Sequence, residues 1–232
     1  MVTFALVHGA WHAGWCWELL TPLLQRAGHE VVAVDLPSDD GSASFDDYAD
    51  VVCTALTDHD DVVLVGHSFG GYTIPLVADR RPIQHLVYLC ALVPEIGRSP
   101  LDQLTDESEN FNPRSDAGLS APDDQLRQVW VDRDRARRLL YAHCDEPIAD
   151  AALARLRPQS FYPATLPYSL DRFPTTPATY ILCRDDQMLR PRWSRQVAHD
   201  LLGANIIELP GDHSPFLSRP SDVADLLLQL AR

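Results

Sequence analysis

Positive charge is scarce in this chain of 232 residues: 19 basic side chains stand against 33 acidic ones, a net charge of −14. That balance excludes a surface built for nucleic acid or for an anionic membrane, and it favours solubility. It leaves a small-molecule substrate open, because a site can be locally neutral. Long apolar runs are missing too; no stretch approaches the roughly 20 residues needed to cross a bilayer. The N-terminus runs straight into Val2-Thr-Phe-Ala-Leu-Val7, without a basic region or a small-residue cleavage site, so a cytoplasmic location is expected. The five cysteines (Cys16, Cys53, Cys90, Cys144, Cys183) are odd in number, scattered, and form no C-x-x-C pair. Buried free thiols fit that pattern better than a disulfide framework or structural zinc. Internal repeats and low-complexity tracts are absent as well.

What remains is ordinary globular composition, 46% apolar and 22% charged, in a length that suits one large domain or a domain with an insertion. Short apolar runs alternate with helical patterns. The expected strands are Thr3–Val7, Val31–Val34, Val62–Val65, Leu86–Leu89, Thr179–Leu182 and Asn205–Leu209. Most are too continuously apolar for a half-exposed antiparallel sheet and suit buried parallel strands. Helical spacing predicts helices over Trp15–Ala27 (with Gly28 as a stop), Phe45–Leu56, Pro191–Leu201 and Ser221–Leu230, the last with Ser221 as cap. The alternation predicts a parallel sheet with helices on both faces.

That alternation stops between about Pro94 and Phe173, a stretch holding Pro94, Pro100, Pro113, Pro122, Pro147, Pro158, Pro163 and Pro167. Helical pieces are expected at Asp123–Tyr141 and Ile148–Leu156, with no good strand. An insertion of about 80 residues is too long to be a structureless loop. It reads as a helical lid, which divides the chain into a core (residues 1–94 and 176–232) and a cap (95–175).

The most informative segment is Gly66-His67-Ser68-Phe69-Gly70, a G-x-S-x-G pentapeptide. It follows the apolar run 61–65 and opens the apolar segment 71–78, the strand–turn–helix setting in which such a serine is an exposed nucleophile. The two glycines allow a sharp turn and a close approach of neighbouring chain. Ligands of open α/β sheets bind beyond the carboxyl ends of the strands. There the first strand leads into His8-Gly9-Ala10-Trp11, the third into Ser68, the fifth into Cys183-Arg-Asp-Asp186, and the sixth into Gly211-Asp-His213. A nucleophile, an acid and a histidine thus follow one another in the order Ser, Asp, His.

Each type has a task. A serine hydroxyl is a poor nucleophile near neutral pH, so His213 would take its proton during attack and return it to the leaving group. An aspartate would fix the imidazole tautomer and stabilise the imidazolium. Asp186 is the preferred acid, four residues past its strand; Asp185 is the alternative, and Asp212 is expected to serve the turn. Two backbone N–H groups, of Phe69 and Ala10, are the expected oxyanion donors. His8 is expected at the base of the first loop and His67 below the turn, with His12 undecided between the two kinds of role; His29, His59, His85, His143 and His199 carry no partner pattern. Trp11, Phe69, Trp130, Tyr141, Phe161 and Tyr162 could line an apolar pocket under the lid, although core packing explains each lid aromatic equally well. Clustered metal ligands are not seen, and no metal is expected.

These residues resemble a known family. Leu6-Val-His-Gly-Ala-Trp-His-Ala-Gly-Trp-Cys-Trp17, Val65-Gly-His-Ser-Phe-Gly-Gly71 and Leu209-Pro-Gly-Asp-His213 look like the small α/β-hydrolases around plant methylesterases and hydroxynitrile lyases, with their bacterial relatives. The resemblance covers about residues 2–94 and 176–232 and is weak across the lid. It implies an α/β-hydrolase fold with a six-stranded, mostly parallel sheet in chain order 2-1-3-4-5-6 and an inserted helical cap. It also implies no cofactor and a homodimer as the oligomer. Hydroxynitrile lyases of this type carry threonine after the first-loop histidine and lysine after the catalytic one; here those positions are Gly9 and Ser214, which argues against cyanohydrin cleavage. Ser214 also replaces the methionine frequent in plant esterases.

The expectation is a serine hydrolase acting on a small to medium apolar or aromatic carboxylic ester. The alternatives are a different lyase, or a binding protein that retains the pocket and turns over slowly.

Overall fold

The computed structural model describes residues 1–106 and 117–231; Pro113 lies outside them. In chain order the elements are β1 (Thr3–Val7), a 3-10 turn (Gly14–Trp17), α1 (Thr21–Arg26), β2 (Glu30–Val34), α2 (Phe45–Ala55) and β3 (Val62–His67). A second 3-10 turn (Ser68–Tyr72), α3 (Ile74–Arg80) and β4 (His85–Leu89) follow. The segment after β4 holds α4 (Pro100–Asp106), β5 (Arg127–Gln128), α5 (Arg133–Leu140), α6 (Glu146–Leu153), β6 (Gln159–Ser160) and α7 (Tyr162–Thr165). The chain closes with β7 (Ala178–Cys183), α8 (Pro191–Asp200), β8 (Asn205–Leu209), α9 (Pro215–Ser218) and α10 (Pro220–Leu230).

Six strands form one sheet in the order β2-β1-β3-β4-β7-β8, every neighbouring pair parallel. β1 and β3 lie in the middle and are buried throughout, whereas the edge strands β2 and β8 are partly exposed. Continuous valine and leucine therefore sit where both sheet faces are covered. Right-handed crossovers decide the faces. The chain steps one way from β1 to β2 and then the other way through β3, β4, β7 and β8, so α1 lies on one face and α2, α3 and α8 on the other. Observed packing agrees: α1 meets α10, α2 meets α3, and α8 meets β7 and β8. All five cysteines are free thiols, four of them buried and Cys53 half-buried. No helix of the described residues is long and apolar enough to cross a membrane.

Several local expectations are corrected. The helix expected over Trp15–Ala27 is split, because Pro22 has no N–H to continue the ladder and instead takes an opening position of α1. The helix expected over Asp123–Tyr141 begins only at Arg133. Asp123 Oδ1 accepts the Gln125 and Arg127 N–H groups, Leu126 has φ +56°, and Asp132 supplies the cap by accepting from Arg135 N–H. Asp123 thus makes a turn of what the sequence predicts as helix. β5 pairs antiparallel with β6, so the insertion does contain a short two-stranded ribbon. Ser221 is not a cap: Pro220 opens α10 and Arg219 precedes it.

Candidate active site

Ser68 stands where β3 turns into a helix. Its φ is +49°, the left-handed region that a non-glycine residue enters at a cost. Leu92 N–H donates to its carbonyl (2.9 Å), which helps hold the turn. Two glycines make room. A Cβ on Gly70 would lie 2.7 Å from the His8 carbonyl oxygen, and one on Gly9 would lie 2.7 Å from Ser68 Cβ. The loop after β1 is therefore packed directly on the serine.

The three strand ends bring their side chains into line. The Ser68 hydroxyl is 2.9 Å from His213 Nε2, and His213 Nδ1 is 2.8 Å from Asp186 Oδ2. A carboxylate only accepts, so Nδ1 carries a proton toward Asp186 while Nε2 faces the serine. Asp186 is held by two backbone donors on its other oxygen, Met188 N–H at 2.8 Å and Leu189 N–H at 3.0 Å. His213 is 1% exposed and Asp186 7%, while Ser68 is half-buried.

The rival aspartates are elsewhere. Asp185 is exposed and accepts from Gly211 N–H (3.2 Å). Asp212 is fully buried and accepts from Ser218 Oγ (2.7 Å), Ser214 N–H (3.3 Å) and, across the molecule, His143 N–H (2.8 Å). It braces the His213 loop and ties it to the inserted segment.

Three more histidines surround the site, each kept neutral by burial. His8 donates from Nδ1 to the Gly9 carbonyl (2.8 Å) and accepts Leu36 N–H at Nε2 (3.0 Å). Burial, helped by Arg157, pushes its pKa down to about 4. His12 donates from Nδ1 to the Ala10 carbonyl (2.8 Å) and accepts from the Tyr141 hydroxyl (2.7 Å); burial pushes it down to about 3. Burial, reinforced by the neighbouring His213, holds His67 well below the ordinary imidazole range.

Ala10 N–H is the donor in none of the described backbone hydrogen bonds outside regular elements, and Phe69 N–H lies in the first turn of its 3-10 helix, where amides have no intrahelical partner. Of the expected pocket aromatics, Trp11, Trp130, Phe161 and Phe69 form one connected group of rings. Trp11 meets Trp130 at 5.2 Å and Phe161 at 5.8 Å between centroids, and Phe161 meets Phe69 at 5.6 Å. Tyr141 stands apart from those rings. It is fully buried behind the first loop, its hydroxyl committed to His12. Tyr162 is half-buried, its N–H donating to Ser160 Oγ (3.2 Å).

Sequence reasoning missed Arg157 and Phe45. Arg157 donates to the His12 carbonyl (3.0 Å) and the Leu36 carbonyl (2.6 Å), clamping the first loop to the chain after β2. Phe45 meets Phe69 at 5.1 Å. A single arginine in an irregular segment and one apolar residue in a helix carry no pattern that could have marked them.

A profile described as "Alpha/beta hydrolase family" matches residues 4–226. The chain belongs to this family. Among its α/β-hydrolase relatives are Methylesterase 2 of Arabidopsis thaliana, 30% identical, and an alpha-hydroxynitrile lyase of the same plant, also 30% identical. Each alignment spans 98% of this chain and 95% or 96% of the relative. The crystal structure of polyneuridine aldehyde esterase superposes with a TM-score of 0.88 at 25% identity and covers 100% of both chains. The branch of plant methylesterases and hydroxynitrile lyases suggested by the loop motifs is thus the one in which this α/β-hydrolase finds its relatives.

Proposed function

We propose that the protein is a serine hydrolase of carboxylic esters. The observation that carries this reading is the continuous hydrogen-bonded line from Ser68 through His213 to Asp186. Ser68 Oγ attacks the ester carbonyl while its proton passes to His213 Nε2, and the carbonyl oxygen, now negative, is held by the Ala10 and Phe69 N–H groups. The carbonyl re-forms, the alcohol leaves with the proton from His213, and an acyl group stays on Ser68. Water then attacks the acyl carbon, giving its proton to His213. Collapse returns that proton to Ser68 and releases the acid. Asp186 keeps the imidazole in the Nδ1–H tautomer and stabilises it when charged.

The substrate is a small to medium apolar or aromatic ester. The aromatic wall supports this, since two of its four rings, Trp130 and Phe161, come from the inserted segment and the others from the core. Residues 95–175 act as a cap that shapes the pocket over the 1–94 and 176–232 core. Methylesterase relatives point to the same chemistry. Cyanohydrin cleavage is disfavoured: Gly9 and Ser214 occupy the discriminating positions, and the chain contains no lysine at all.

Hydrolysis of a panel of p-nitrophenyl and methyl esters by the wild type and Ser68→Ala tests this. Turnover lost in the variant is expected; turnover retained in Ser68→Ala would refute the mechanism.

A further inference from the structure

We propose that Asp212 is a positioning residue through which the inserted segment holds His213 in place. The inference rests on the esterase reading and adds to it a link between cap and base. Asp212 is fully buried, and its two oxygens take different partners. Oδ1 accepts Ser214 N–H (3.3 Å) and Ser218 Oγ (2.7 Å), both from the chain that follows His213. Oδ2 accepts His143 N–H (2.8 Å), 69 positions away in the inserted segment.

The bond to Ser214 N–H, two residues on, makes an Asx turn with His213 as its middle residue. His67 holds the same residue from its other side, donating from Nε2 to the His213 carbonyl (2.9 Å). The ring carried on this turn reaches Ser68 with Nε2 at 2.9 Å from the hydroxyl, so a tilt of the turn carries Nε2 off the serine. Local preference does not secure the entry to the turn. Gly211, just before Asp212, has φ +132°, a conformation set by what the neighbouring chain binds.

The donor on the cap side is anchored. Tyr141 N–H donates to the Arg137 carbonyl (2.9 Å) at the end of α5, and Cys144 N–H donates to the Tyr141 carbonyl (3.2 Å), so His143 lies in a tight turn. Tyr141 is fully buried, its hydroxyl bonded to His12 Nε2 (2.7 Å). Two turns from distant parts of the chain therefore meet at one carboxylate. A carboxylate buried this deeply needs its donors. The cap turn is seated when the His213 turn is in place, and the reverse.

Three variants separate the cap link from the turn itself. Asp212→Ser keeps a side-chain oxygen for Ser214 N–H but is too short to reach His143. Asp212→Asn can offer its oxygen to His143 N–H and its amide to Ser218 Oγ. Ser218→Ala removes a bond on the core side only. With p-nitrophenyl butyrate, Asp212→Ser is expected to lower kcat about 10- to 100-fold with KM changed less than about threefold. Asp212→Asn is expected to recover most of that loss, and Ser218→Ala to stay within about threefold of the wild type. An unchanged kcat in Asp212→Ser, no recovery in Asp212→Asn, or an equal loss in Ser218→Ala would overturn the proposal.

A measurement on the wild type covers a variant that does not fold. An alkyl trifluoromethyl ketone adds Ser68 Oγ to its carbonyl and passes the proton to His213. Coupling is reciprocal, so fixing His213 in that adduct should slow hydrogen exchange of the His143 amide about tenfold or more. Ser160 N–H, which ties the inserted segment to the Ser38 carbonyl (2.7 Å) away from this turn, should slow less. Equal slowing at both amides, or none at His143, would overturn the link. Ser68→Ala in the ester assay tells the two readings apart. Turnover that survives there removes the esterase reading and this inference together, whereas turnover lost there but kept in Asp212→Ser removes this inference alone.

Discussion

His67 Nε2 donates to the backbone carbonyl of His213 across 2.9 Å, joining the end of β3 to the loop after β8. The residue before the proposed nucleophile thus holds the residue proposed to activate it, and the two rings lie 4.9 Å apart. His67→Phe should leave that buried carbonyl without its donor. The expected cost is about 1–3 kcal/mol of stability, measured by urea unfolding, with a fall in kcat larger than any change in KM. An unchanged kcat at unchanged stability would show that the bond does not position His213.

Asp186 and Asp185 are adjacent in sequence and unlike in surroundings. Asp186→Asn should lower kcat by about a thousand- to ten-thousand-fold, because an amide no longer favours the required imidazole tautomer. Asp185→Asn should stay within a few-fold of wild type, its carboxylate being exposed and bonded to Gly211 N–H. Steady-state kinetics on one ester decides; the reverse order would move the acid to Asp185.

Gly9→Ala tests the close approach of the first loop. The added Cβ would meet Ser68 Cβ at 2.7 Å and His67 Nδ1 at 2.9 Å, so the loop must shift. A kcat loss of about 100-fold is expected from a displaced donor, with the fold kept as judged by circular dichroism.

Trp130→Ala should act on selectivity. It removes one ring of the wall that Trp11 completes. The KM for a naphthyl ester should rise about 5- to 10-fold relative to that for an acetate ester. A uniform change for both esters would place Trp130 outside the pocket.

Stability should depend on pH through the buried histidines. In the fold His8 takes a proton only near pH 4 and His12 near pH 3, against about 6.5 for a free imidazole. Below pH 6.5 the unfolded chain therefore binds more protons than the folded one, and stability falls with pH. It should be full above about 6.5 and decline from there toward pH 4, by on the order of a few kcal/mol for each histidine. Thermal unfolding across that range reads the effect, and His12→Gln should flatten part of the slope.

The strands were legible because nothing local competes with them. Thr3–Val7 and Asn205–Leu209 occur at the expected bounds, three others differ by one or two residues at one end, and the strand expected over Thr179–Leu182 is longer by one residue at each end. A continuous apolar run flanked by turn residues has one good fate, the inside of a sheet. The insertion was harder, since side chains there compete with the helix for backbone groups, as Asp123 shows.

By itself the sequence determined the alternation of strand and helix, the sharp turn at Ser68 and the order in which serine, aspartate and histidine follow the strands. These depend on neighbours in the chain: apolar period, glycine at a tight turn, residues just past a strand end. Only the tertiary structure decided which aspartate meets His213, that Tyr141 supports His12 rather than joining the aromatic wall, and that Arg157 clamps the first loop. Those choices join residues 27, 129 and 145 positions apart. They are settled by which partner satisfies a buried donor or acceptor in three dimensions, a condition that no local spacing encodes.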